Sequence, residues 1–442
     1  MWSHLSQRLL SNFTNRDEAI KFVRLAVIFA FTIGVYWVIN PTKDVVFVHT
    51  VGRDYLPYAK IFSIIFLVPL LLLYGQVVDL FSRHRVFYVL CAVYSVICLL
   101  FGFLMLHPVI GLANTQVGAW RLLGWFWYAF IESFGSIIVA LLWSFASDVS
   151  TPESAKRGFS IIALGAQIGG FLGPLLFHRS ADAWGPIPFA FIGSAGIVCI
   201  GFSIFYFMKV TPESQLVGFH QEPHKVEEKK QVGFFEGLSL IFSHPYLCGI
   251  VAIVMLYESV FVIIEFHLKT LASEIYPQVN LLNGFLFKCA LYANGIALLC
   301  LVLGAGAVGR WLGLRRTLLL LPFLVLIGVG VLAFHFTLTT VLGVYVAIRG
   351  LNYALNQPAK EQLYVPTSRE SKYKAKAWID VFGSRLAKSI GSSVHILRPV
   401  LQSQFVMVSS VISCGLVGLW IFSAVFVGKA HAQAVKGDKE LC

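Results

Sequence analysis

Apolar runs of about 20 residues recur along the whole chain, the length a helix needs to cross the hydrocarbon core of a bilayer. They fall near 22–40, 60–80, 86–106, 120–147, 158–177, 187–208, 246–268, 284–308, 317–335, 337–357, 376–398 and 404–428. An all-α integral membrane protein with about 12 spanning helices is therefore expected. The first span is expected to continue past Pro41 through "VVFVHTV" as a broken helix. The eleventh, "KAWIDVFGSRLAKSIGSSVHIL", is amphipathic and can span only if its polar face meets protein or water. Composition agrees: 57% of residues are hydrophobic and 13% charged, against roughly 45–50% and about 25% in soluble domains. The first 21 residues are polar and mixed in charge, with no cleavable signal peptide visible. The eight cysteines lie mostly inside apolar runs and read as small core residues rather than a disulfide or metal framework.

Basic residues give an orientation. Arg8, Arg16, Lys21 and Arg24 precede or open the first span, and Arg83 and Arg85 follow the second. Lys156 and Arg157 follow the fourth; Lys209, Lys225, Lys229 and Lys230 follow the sixth; Arg310, Arg315 and Arg316 follow the eighth. Arg369, Lys372, Lys374 and Lys376 follow the tenth, and Lys429, Lys436 and Lys439 end the chain. These are about 22 of the 34 Lys and Arg, in alternate loops, which places both termini in the cytoplasm. The net charge of +12 thus reads as topology and anionic-lipid contact, not nucleic-acid binding.

One long polar connection, 209–245, divides the chain into a six-helix bundle at 22–208 and another at 246–428. A cytoplasmic N-terminus at 1–21 and a tail at 429–442 flank them. The halves resemble each other. "GQVVDLFSRHR" after the second span is similar to "GAVGRWLGLRR" after the eighth, and "TPESAKRG" before the fifth to "TSRESKYK" before the eleventh. Gly165 and Gly173 correspond to Gly383 and Gly391. Repeated halves with a site at their interface are a transporter architecture. The pattern resembles the major facilitator fold, and Gly75, Asp79, Arg83 and Arg85 look like a loose copy of its cytoplasmic loop motif, expected to act in gating.

Charges within or bordering spans need an explanation, because each costs about 2.5–3.5 kcal/mol near mid-bilayer. Lys43 ends the first span, and Glu132 sits mid-way along the fourth. Glu258 and Glu265 lie seven residues apart in the seventh, hence on one helix face. Arg349 and Lys360 belong to the tenth; Asp380, Arg385 and Lys388 belong to the eleventh. The repeat offset makes Glu132 and Arg349 equivalent. In a major-facilitator arrangement the first, fourth, seventh and tenth helices line the central cavity, and each carries one of Lys43, Glu132, Glu265 and Lys360. Internal ties between the two halves, such as Glu132 with Arg349, would account for single pairs. The late cluster of Arg349, Lys360, Arg385 and Lys388 suits an anionic substrate, phosphate above all. Lys269 and Lys288 read as outer-loop lysines that snorkel. "WRLLGWFWYAF" reads as an interfacial aromatic belt, with nucleobase stacking the alternative. His267 beside Glu265 is a candidate for assisting proton coupling. No Walker loop, zinc spacing, nucleophile elbow or dinucleotide fingerprint is present, so neither an enzyme nor a cofactor is expected.

The segment "KEQLYVPTSRESKYKAKAWIDVFGSRLAKSIG" at 360–391 resembles the nucleotide transporter family, the ATP/ADP exchangers of plastids and obligate intracellular bacteria. It is similar to that family's Lys-Glu, Tyr-Ile-Pro, Lys-Gly-Lys-Ala, Ile-Asp and Lys-Ser succession. "TKDVV" at 42–46, "IESFGSIIVALLW" at 131–143 and "IIEFHLK" at 263–269 resemble its first-, fourth- and seventh-helix segments. The resemblance implies that two lysines and two glutamates are needed for transport, and by motif they fall on Lys43, Glu132, Glu265 and Lys360. Ala375 stands where the family has glycine, and "WVINPTKD" and "ESFG" depart from the commoner wording. Exchange of ATP for ADP across a bacterial inner membrane by alternating access is the expectation. Proton-coupled import of other nucleotides, carriage of another organic anion, and a non-transporting sensor are its rivals. The sequence does not fix the oligomeric state.

Overall fold

The computed structural model describes residues 15–80, 83–212, 215–216, 234–303, 313–364, 366–367, 375–376, 378–379 and 383–437. Among these residues every regular element is helical. They are α1 (Arg16–Thr50), α2 (Leu56–Leu80), α3 (Arg83–Leu106), α4 (Leu122–Asp148), α5 (Pro152–Phe177) and α6 (Ile187–Val210). After a ten-residue helix at Phe234–Ser243 follow α7 (Pro245–Ile275), α8 (Val279–Val302), α9 (Leu314–Phe334), α10 (Leu338–Leu351), α11 (Ser384–Ser393) and α12 (Phe405–Gly437).

Among the described residues, ten helical stretches are long and apolar enough to cross a membrane, with Ser384–Ala434 counted as one. Local signals set several starts. Thr151 accepts a hydrogen bond from the Ser154 backbone N–H and Pro152 opens α5. This is a capped entry that also places Glu153 at the positive end of the helix dipole. Thr337 caps α10 likewise, accepting from the Thr340 N–H.

Three elements differ from the sequence reading. α1 is one 35-residue helix that runs through Pro41 instead of breaking there. Pro41 is buried, and inside a packed bundle a single missing N–H is tolerated. The tenth span gives way after Leu351 to a π-helical turn, Asn352–Asn356, before the helix Gln357–Leu363. The expected loop motif is largely helical. Gly75 and Asp79 lie in the last turns of α2, and Arg83 and Arg85 open α3. The side chains of Asp79 and Arg83 lie outside those described, and Arg85 is exposed.

The chain forms two compact units. The first comprises Met1–Arg53, Phe62–Lys225 and Tyr276–Leu291; the second comprises Asp54–Ile61, Val226–Ile275 and Tyr292–Cys442. In the first, α1 packs on α4, α5 and α6, and α3 on α4 and α6. In the second, α7 packs on α10, α11 and α12, and α9 on α10 and α12. The five pairings correspond one to one, which is the structural form of the internal repeat.

The tightest of these contacts explains one of the two expected glycine pairs, Gly173 and Gly391, whereas a Cβ at Gly383 would meet nothing nearer than the Trp378 ring at 3.4 Å. A Cβ at Gly169 or Gly173 of α5 would collide with the backbone oxygen of Ala30 or Gly34 of α1. A Cβ at Gly391 of α11 would collide with the backbone oxygen of Ser259 of α7. Small residues let backbones approach where no hydrophobic force draws helices together. Gly173 and Gly391 therefore occupy the same place in their units.

The core of the first unit is aromatic. Trp127 is fully buried, stacked on Phe130 with ring centroids 5.6 Å apart and edge-on to Phe101 at 5.3 Å. Both are favoured geometries for aromatic pairs. Trp120 is exposed, as a belt residue would be, but Trp127 and Tyr128 from the same stretch are core.

Candidate functional site

In the first unit the charges converge on Lys43. The residue is 5% exposed, and its Nζ donates to Glu132 Oε1 and Asn40 Oδ1, each at 2.6 Å. The ammonium lies 5.3 Å from the centroid of the Tyr128 ring, within cation–π range. Asn40 and Lys43 are three residues apart on α1, and Tyr128 and Glu132 four apart on α4. Each pair therefore shares a helix face. Gly135, one turn beyond Glu132, leaves room for the Tyr36 ring, which a Cβ there would overlap. Asp44, the next residue after Lys43, is also buried. A buried ammonium with a carboxylate, a carboxamide oxygen and a ring around it is held in place yet chemically exchangeable. Phosphate oxygens would offer the same charge-assisted hydrogen bonds that Glu132 now supplies.

The second unit has three polar stations. Glu265 Oε1 and Lys269 Nζ of α7 are 2.8 Å apart, and Lys269 lies over the Phe266 ring. Lys269 is thus a bonded residue of the helix wall and not the snorkelling outer lysine that its position in the sequence suggests. On α10, Arg349 Nη1 donates to the Tyr345 hydroxyl at 2.9 Å. The guanidinium lies 5.9 Å from both the Phe261 and Tyr345 rings, which stack on each other at 5.3 Å. Glu265 acts on Arg349 electrostatically. Third, Glu258 of α7 accepts from Ser384 Oγ at 3.3 Å and stands 3.7 Å from Lys388 Nζ of α11.

The remaining expected residues are more scattered. Lys360 lies in the helix Gln357–Leu363 beyond the π turn, half-buried, and its neighbour Glu361 pairs with Lys376 at 2.6 Å. Arg385 opens α11 and is half-buried. Asp380 lies outside the described residues. His267 turns toward α12: its ring meets Ser409 Oγ at 2.9 Å and the His395 ring at 4.7 Å.

Sequence reasoning passed over Asn40, Tyr36 and Tyr128, although spacings of three and four from Lys43 and Glu132 carried the signal for two of them. It also passed over Arg398, which is bonded to both Asp54 and Glu274 within the second unit. No local pattern marks that trio.

Two like-packed units of long helices, with ion pairs set within membrane-spanning stretches, define a multi-pass membrane protein of major-facilitator-like fold. Solved structures agree on the fold. A bacterial homologue of the iron transporter ferroportin, in an inward-facing state, superposes with a TM-score of 0.63 at 13% identity, covering 93% of this chain and 99% of that one. Nucleoside transporter NupG superposes with a TM-score of 0.58 at 12% identity, covering 93% and 98%.

The chain belongs to the TLC ATP/ADP transporter family, which it matches over residues 10–348 and 335–431. Among its relatives, ADP,ATP carrier protein 2, chloroplastic, of Arabidopsis thaliana is 26% identical over 91% of this chain and 73% of its own length. ADP,ATP carrier protein 1 of Chlamydia pneumoniae is 24% identical over 92% and 90%. The corresponding protein of Rickettsia prowazekii (strain Madrid E) is 21% identical over 96% and 95%.

Proposed function

We propose that this chain exchanges ATP for ADP across a membrane, with Lys43 as one phosphate-binding cation and Glu132 as the carboxylate that holds it between substrates. The observation that carries this reading is the buried Lys43–Glu132 pair at 2.6 Å in a chain of the ATP/ADP transporter family. Keeping two ions in a helix wall costs several kcal/mol per ion unless each has a partner. A nucleotide that displaces Glu132 from Lys43 replaces one partner by another, whereas an empty carrier keeps the pair closed. Such a carrier returns across the membrane fastest when loaded, and that is exchange.

In the second unit Arg349, Lys360, Arg385 and Lys388 supply further positive charge, with Glu265 and Glu258 opposing part of it. Arg349 is braced by Tyr345 and two rings, and so presents a fixed fork rather than a flexible point charge. The distribution of Lys and Arg supports cytoplasmic termini, and the bacterial relatives suit an inner-membrane location.

Uptake of labelled ATP, ADP, GTP and NAD into intact bacterial cells expressing the protein tests the reading. ATP and ADP are expected to enter. Entry of none of the four while the protein is present in the membrane would refute the nucleotide assignment. One observation favours a second reading, proton-coupled import: Glu258 stands 3.7 Å from Lys388, a longer contact than the 2.6 Å between Glu132 and Lys43. A protonophore that abolishes uptake would select it.

A further inference from the structure

We infer that Asn40 is a positioning residue that tunes charge selectivity: it holds Lys43 toward the substrate without adding a carboxylate, and so lets the site accept the more highly charged of two nucleotides. The inference rests on the reading of Lys43 as a phosphate-binding cation.

The repeat supplies the comparison. Gly173 and Gly391 each press on the first helix of their own unit, at Gly34 and Ser259 respectively. The neighbouring contact agrees: a Cβ at Gly34 would meet the Gly169 carbonyl oxygen at 3.4 Å, and the Ser259 hydroxyl donates to the Ala387 carbonyl at 3.0 Å. Gly169 and Ala387 each lie four residues before the paired glycine. This register makes Gly34 and Ser259 equivalent, and six residues further on it makes Asn40 the counterpart of Glu265. Both accept from a lysine one turn along the same helix, Asn40 from Lys43 at 2.6 Å and Glu265 from Lys269 at 2.8 Å. On the fourth helix of each unit the charges are opposite, Glu132 in one and Arg349 in the other.

The two units thus make one arrangement with different charge. At the paired positions 40/265 and 132/349, the first has a carboxylate on the fourth helix and a neutral oxygen on the first; the second has a carboxylate on the first helix and a guanidinium on the fourth. Lys43 already has Glu132 in contact, and Asp44 acts on it from the adjoining position. A carboxylate at position 40 would add a further negative charge at contact distance and make the cation a poor partner for polyphosphate. Asparagine keeps the geometry of an aspartate and omits its charge.

ATP carries one more negative charge than ADP, so an added carboxylate penalises ATP more. The test is exchange kinetics in intact cells for wild type, Asn40→Asp, Asn40→Ala and Asn40→Gln, with the amount of protein in the membrane measured for each. Asn40→Asp is isosteric and is expected to raise the KM for both nucleotides and to raise the ratio KM(ATP)/KM(ADP) about threefold or more, from one charge acting at several ångströms. Asn40→Ala is expected to lower turnover several-fold with that ratio unchanged, and Asn40→Gln to recover most of the loss.

An unchanged ratio in Asn40→Asp overturns the inference. So does an Asn40→Ala protein with the turnover of wild type, which also decides the matter if Asn40→Asp does not reach the membrane. If wild type itself moves neither nucleotide, the transport assignment fails rather than the role of Asn40.

Discussion

Replacing Glu132 by glutamine, Lys43 by methionine, and both together separates the structural value of the pair from its role in transport. The side chains of Lys43 and Glu132 are 6% and 22% exposed, and their charged atoms are 2.6 Å apart. Glu132→Gln leaves a buried ammonium with the Asn40 oxygen, the Tyr128 ring and the charge of Asp44 around it; Lys43→Met leaves a carboxylate without its cation. Removing one partner of such a pair costs about 3–5 kcal/mol, and the partial exposure of Glu132 places the expected loss near the lower figure. Removing both takes away the stranded partner that each single variant leaves, so the double variant is expected to recover about 2 kcal/mol or more relative to the sum of the singles. Transport should not recover with it, because the proposed phosphate-binding cation is gone. Unfolding in mixed micelles by denaturant titration measures the first quantity, and initial uptake rate the second. Single variants that each cost less than about 1 kcal/mol would show that the pair behaves as an exposed one. A double variant that exchanges nucleotide at wild-type rate would remove Lys43 from the substrate path.

Three further outcomes follow from the packing. Arg121 donates through Nη1 to the carbonyls of Asn114 and Gln116 and through Nη2 to those of Ile110 and Gly111, organising the connection between α3 and α4. A lysine has three donors on one atom and cannot reproduce the planar fork, so Arg121→Lys should cost about 2 kcal/mol or more and expose this loop to protease in whole cells. Gly169→Val should prevent the close approach of α5 to α1 and reduce the amount of folded protein several-fold. Gly415→Ala on α12, where a Cβ meets nothing, should leave that amount unchanged. Quantitative immunoblotting of membranes reads both glycine variants.

Much of this was legible in the sequence because the bilayer leaves few choices. Apolar length marked the spans, and ionisable residues in them stood out against that background. Lys43 and Glu132 were therefore identifiable one by one. That they meet each other was not, since 89 positions separate them and only the packing of α1 on α4 brings them together. Pro41 misled because a proline signal is local, while the packing that tolerates it is tertiary. The π turn at Asn352–Asn356 has no compositional mark. Lys269 was discounted as an outer-loop lysine, yet it lies within α7, largely buried and paired with a glutamate four residues earlier. The repeat is the instructive case. A few glycines and loop residues disclosed it, but the equivalence of Asn40 and Glu265 needed the register that the α1–α5 and α7–α11 contacts provide.

The central claim, nucleotide exchange, is tested most directly by counterflow. Proteoliposomes holding the purified protein are loaded with labelled ADP, diluted, and given ATP, ADP or no nucleotide outside. Exchange predicts that label leaves promptly when either nucleotide is added and stays inside without one. Equal loss of label in all three cases, or retention in all three with correctly folded protein, would contradict it.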